Sequence, residues 1–169
     1  MVFNWGVGLP IFDDILPRKD VWPETAVWPR LRAEALLSRF QQRFPSIHYD
    51  IYWETRLMNA QAFIGSKGRC VRLYGGLGRH RRLGVEAIAF ALAHETGHHL
   101  GGPPRHPHYS TISSEERADE WACETGLPQL FGESVARRYA ERGIRQLAAV
   151  WEKYKQTLSR APDLINAAE

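Results

Sequence analysis

Cysteine is scarce in this chain. Two thiols, Cys70 and Cys123, are too few for the disulfide framework of a small secreted scaffold. One bridge between them is open, and two buried free thiols is the reading preferred. No apolar run approaches the roughly 18 residues that cross a membrane, so no transmembrane segment is expected. The opening "MVFNWGVGLPIFDD" lacks a positive stretch followed by a long apolar one, and no secretion signal is legible there. A cytoplasmic location and export after removal of a leader both stay open. Runs of Lys and Arg are missing too: the net charge is +3 and the densest cluster is "GRHRRLG", Gly78–Gly84, read as a solvated loop. A nucleic-acid face needs more charge laid along one surface, so no nucleic-acid partner is expected. Internal repeats and low-complexity tracts are also lacking.

What is present is enough apolar and aromatic residue, 44% and 11% of 169, to bury a core. The expectation is one domain over 1–169. Residues 1–29 form an irregular arm, 30–128 the core, and 129–169 a C-terminal helical segment. Pro10, Pro17, Pro23 and Pro29 forbid long helix in the arm, which is expected to pack through its tryptophans. From Pro29 to Phe44, Leu31, Ala35, Leu36, Phe40 and Phe44 recur at helical spacing between charged residues. "IHYDIYWE", "MNAQAFIG" and "RCVRLYGG" read as strands, the last two joined by a turn in "GSKGR". Helix is expected from about Gly84, from Ser113 to Thr125, and from about Gly132 to Ser159, where Gly143 marks a possible break. The fold class is α+β, a small mixed sheet with helices against it.

The chemistry concentrates in "LAHETGHHLGG", Leu92 to Gly102. His94 and His98 are four apart, so on a helix both imidazoles face one ion. Glu95 lies about 100° further round, placed to reach a water beside that ion without ligating it. A buried His pair with a carboxylate between them is costly unless something coordinates it. His99 turns off that face and reads as a helix-end cation. The helix stops at "GGPP".

A hydrolytic zinc site needs a third protein ligand and an open position. "SSEERADEWACETG" offers Glu115 with Asp119, or Glu116 with Glu120. Glu115 and Asp119 share a stripe with Ala118 and Ala122, whose small side chains allow close helix packing. Ser113 reads as an N-cap with Glu116 at N3, a capping box that occupies Glu116. Glu115 is therefore the expected ligand, with Asp119 holding the free ring N–H of a ligand histidine. Zn²⁺ is the expected ion.

"HETGHHLGG" followed by "EERAD" resembles the gluzincin metallopeptidases, in which HExxH is followed by ExxxD on the next helix. Within them the chain is most similar to the CAAX prenyl protease and HtpX branch, through "MNAQAF" and "VRLYGGL" as well. The likeness covers about 58–123. It implies a zincin-like metallopeptidase fold, with His94, His98 and Glu115 as zinc ligands, Glu95 as catalytic base and Asp119 as supporting acid. It makes 30–128 the catalytic core of a soluble short form, since the transmembrane helices of the membrane-bound members are lacking here. The interval from His98 to Glu115 is also short, a compact loop in place of a larger insert. Peptidases of the ImmA/IrrE type, which cleave regulators, share HExxH and a downstream Glu helix.

The activity expected is zinc-dependent hydrolysis of a peptide or protein, with Glu95 carrying the proton to the leaving amine. The alternative is a catalytically inactive zincin used as a regulatory or binding module; an intact Glu95 favours the enzyme. Tyr109, His106, His108 and Tyr139 are candidates for stabilising the oxyanion. The substrate is expected along an edge strand. "GRCVRLYGG" is read as that edge, with Leu73, Tyr74 and Gly75, and Tyr109 nearby, as substrate contacts.

Overall fold

The computed structural model describes residues 16–159. Residues 1–15 of the expected arm lie outside the described residues. After a 3-10 turn at Arg18–Asp20, helix α1 spans Val27–Arg43. Strands β1 (His48–Tyr52), β2 (Ala60–Gly65) and β3 (Gly68–Tyr74) follow, then the short helix α2 (Gly75–Gly78) and the long helix α3 (Val85–Leu100). A hairpin of β4 (Arg105–His106) and β5 (Tyr109–Ser113) leads to α4 (Glu115–Trp121). A π turn at Ala122–Gly126, helix α5 (Leu127–Phe131) and helix α6 (Glu133–Ser159) complete the α+β architecture.

Helix α1 forms where its spacing predicts, but its buried stripe is Ala33, Leu36, Leu37 and Phe40; Leu31 and Ala35 face outward. Pro29 sits in the first turn, where a missing N–H costs nothing. Trp22 and Trp28 are exposed, so these two tryptophans do not pack the arm. Phe40 and Phe44 reach Tyr49 of β1 and Trp121 of α4.

The sheet order is β1-β3-β2, with β1 parallel and β2 antiparallel to β3. Strands β2 and β3 are joined by a tight turn, and Gly68 at φ +82° supplies the left-handed conformation it requires. This order overturns the reading of "GRCVRLYGG" as an edge. Strand β3 is central, so its backbone is already paired on both sides and cannot accept a substrate strand. Leu73, Tyr74 and Gly75 are thereby removed as backbone contacts; Leu73 is fully buried in the core, and Gly75 lies against the Trp53 and Thr55 carbonyls. Strands β1 and β2 are the edges.

Helix α3 runs through the middle of the molecule, buried from Ala87 to His99. Helix α6 crosses it at Gly143, where a Cβ would come within 2.6 Å of the Glu86 carbonyl oxygen. That glycine marks a close helix crossing, and α6 continues through it unbroken. Helix α4 approaches α3 from the other end: a Cβ on Gly97 would lie 2.7 Å from the Ala118 carbonyl oxygen. The compact loop between His98 and Glu115 is the β4–β5 hairpin.

Candidate metal centre

Helix α3 brings the side chains of His94, Glu95 and His98 together in the interior, and these three form a buried group able to hold a metal ion. The two imidazole rings stand nearly perpendicular, 89° apart, with centroids 4.7 Å from one another. Each has one ring nitrogen tied from behind. His94 Nδ1 is 2.7 Å from Asp119 Oδ1, and His98 Nδ1 is 2.9 Å from the Ser113 carbonyl oxygen. Both acceptors take an N–H, which fixes the tautomer and leaves each Nε2 with a lone pair directed elsewhere.

Those two Nε2 atoms are buried and have no hydrogen-bond partner, and the same holds for both carboxylate oxygens of Glu115. Glu115 Oε2 lies 3.3 Å from His94 Nε2, and Oε1 lies 3.7 Å from His98 Nε2. Four ligand-type atoms from two helices therefore converge with nothing of the protein between them. Leaving such atoms unpaired costs on the order of 1–3 kcal/mol each. A cation bound among them removes that cost.

Glu95 differs from Glu115 in its bonding. Its Oε2 accepts a 2.7 Å hydrogen bond from the Ala62 N–H of edge strand β2, so one oxygen is occupied by backbone. Burial raises its carboxyl to about 7, against the opposing pull of His94. Burial also lowers His98, to about 3. His94 moves the other way, to about 10: burial opposes its charge, but the hydrogen bond to Asp119 and the nearby Glu115 carboxylate outweigh it.

Three expectations need correction. The N-cap of α4 is Ser114, whose hydroxyl accepts from the Arg117 N–H. Ser113 ends β5 and gives its carbonyl to His98 and its hydroxyl to the Gly102 carbonyl. There is accordingly no capping box to occupy Glu116, which is simply exposed. His99 is not a helix-end cation: it is buried, its Nε2 donates to the Cys70 carbonyl at 2.9 Å, and burial lowers its pKa.

Two backbone contributors, Ala62 N–H and Ser113 C=O, carry no signature in side-chain identity, and a residue pattern does not reveal them. Of the four oxyanion candidates, His106, His108 and Tyr109 belong to the hairpin, with His106 stacked near Tyr109 at 5.1 Å. Tyr109 is half exposed. Tyr139 lies on α6 with its ring against Phe131, a packing position. Cys70 is buried and Cys123 half-buried, both as free thiols. No helix among the described residues is long and apolar enough to cross a membrane. Compared with protein-family models, curated proteins and solved structures, the chain matches none of them.

Proposed function

We propose that this chain is a zinc-dependent metalloendopeptidase of the gluzincin type, with a zincin-like catalytic core over 30–128. The observation that carries the reading is the convergence of His94 Nε2, His98 Nε2 and the Glu115 carboxylate, all buried and none of them hydrogen-bonded. Two imidazoles and one carboxylate, with a position left over, is the donor set of hydrolytic zinc. When bound there, zinc supplies an acidified water and polarises the substrate carbonyl.

The remaining work falls to the chain's own residues. Asp119 and the Ser113 carbonyl hold the two imidazoles in the ligating tautomer. Glu95, steadied at Oε2 by the Ala62 N–H, takes a proton at its other oxygen and returns it to the leaving amine. Ala62 turns its N–H away from β3, so Ala60, Ala62 and Ile64 present their backbone groups to the outer side of β2. A peptide laid there as a further strand passes beside Glu95. Glu95 also favours an enzyme over a structural metal site, which has no use for a carboxylate poised next to its ligands.

Elemental analysis of protein purified without chelator, with cleavage of casein as the readout, tests the reading. One zinc per chain, chelator-sensitive cleavage, and a Glu95→Gln variant that keeps the metal and loses cleavage are the expected results. Zinc bound with no cleavage by the unaltered chain would turn the reading to a binding module. No uptake of any transition metal would remove the site.

A further inference from the structure

A second feature lies away from the metal centre. A cavity of about 760 Å³ opens at the C-terminal end of the parallel strands β1 and β3, and Arg18, Arg56, Arg79 and Arg81 line it. None of its lining residues belongs to the His94, Glu95 and His98 group. Four guanidinium groups around one concavity repel one another, and the carboxylates of Glu24 and Glu54 in the same wall offset only part of that charge.

The cavity is built, not incidental. Gly75 and Gly76 of α2 let residues 53–57 lie directly on that helix; a Cβ at either would fall 1.9 Å or 2.2 Å from the Trp53 or Arg56 carbonyl oxygen. The loop so placed offers its carbonyls to Arg79. Arg79 Nη1 donates to Trp22 O at 2.7 Å and Nη2 to Thr55 O at 2.9 Å, while the side chain is only 2% exposed. Its Nε is buried without a partner. Arg81 is pinned as well, over the Trp22 ring at 3.9 Å and to the Val21 carbonyl. Two guanidinium groups are thus immobilised before any ligand arrives, which lowers the ordering cost of binding. Arg18 and Arg56 complete the wall.

We propose that this cavity binds a small phosphorylated molecule, with its phosphate among Arg81, Arg56 and Arg18 over the fixed charge of Arg79. Forked, permanently charged donors match phosphate oxygens in pairs. The cavity volume suits a ligand larger than a bare ion. The Trp22 ring, beside Arg81, supplies an apolar side for the rest of the molecule, and the buried Trp53 indole N–H donates to the Glu24 carbonyl of the same wall. This assignment does not depend on the peptidase reading.

The test is a titration of the full chain, loaded with its metal, followed by the indole N–H signals of Trp22 and Trp53 in a proton–nitrogen spectrum. Phenyl phosphate is the probe, with inorganic phosphate and benzoate in parallel. Phenyl phosphate should shift both signals saturably with a Kd under about 1 mM at moderate salt, and inorganic phosphate should do so more weakly. A paired Arg18→Gln, Arg56→Gln variant should weaken binding by roughly tenfold or more, with metal content unchanged. Arg79 is left intact because its clamp holds the loop. No saturable shift, equal binding of benzoate, or undiminished binding in the variant would overturn the phosphate assignment.

Discussion

At the scale of single residues, the two neighbouring glutamates of α4 separate sharply. Glu115 presents two buried, unpartnered oxygens to the histidine pair, whereas Glu116 is exposed. Glu115→Ala should lower zinc affinity by orders of magnitude, because it removes one of the three proposed protein ligands. Glu116→Ala should change stability by no more than about 0.5 kcal/mol, as ordinary surface substitutions do. Asp119→Asn should fall between, weakening metal affinity or activity roughly 10–100-fold through the loosened His94 ring. Zinc titrations of the three variants check this, and loss of metal in Glu116→Ala with retention in Glu115→Ala would reverse the assignment. The approach of Glu115 to the histidine pair was legible in the sequence from its stripe with Ala118 and Ala122. The capping argument pointed the same way for the wrong reason, since Ser114 and not Ser113 caps the helix.

Between elements, close approach decides where ligands meet. Gly97 has no side chain where the Ala118 backbone crosses α3, and this lets α4 carry Glu115 to the two histidines. Gly97→Ala touches no ligand, yet its Cβ meets backbone at 2.7 Å, so the helices must part. We expect a loss of roughly 1–3 kcal/mol in stability, typical of overpacking, together with weaker zinc binding. Denaturant melts and metal titration of the same variant measure both; unchanged zinc affinity would show that the helix spacing is not what seats Glu115.

A second contact between elements responds to pH. His80, paired in an isolated bridge with Val21, is buried at 1% exposure near the Tyr154 hydroxyl of α6, and burial lowers its pKa from 6.5 to about 4. The unfolded chain therefore binds more protons than the folded one between those two values. Stability contributed by neutral His80 is complete above about pH 6.5 and is lost as pH falls toward 4, by about 3 kcal/mol in all. His80→Asn keeps an acceptor near the Arg82 N–H but does not titrate, and it should flatten that part of the stability profile. A slope identical to the unaltered chain would assign the acid sensitivity to other groups.

For the whole molecule, the buried unpaired atoms of the candidate metal centre imply that an ion held there and the fold would stabilise each other. Free zinc at 100 times its Kd should add about 2.7 kcal/mol to the unfolding free energy, and chelation should remove it. Thermal melts at graded zinc concentrations read this directly, and a Tm indifferent to zinc would count against binding in the folded state. The contact between Lys153 and Asp20, 2.7 Å apart, joins α6 to the start of the described chain and shows how far in sequence the folded state draws its partners. The sequence by itself determined what is local. The i, i+4 spacing of His94 and His98, the helical period of α1, the strand alternation and the β2–β3 turn all follow from neighbours along the chain, whose geometry is set by fixed rise and rotation. Tertiary structure alone decided the order of the strands, which made β2 an edge and placed β3 in the centre. It also decided the burial of His99 and of the Arg79 clamp, and which backbone groups reach Glu95 and His98. Those outcomes depend on pairing between distant segments and on backbone atoms that every residue carries, so no local pattern of side chains encodes them.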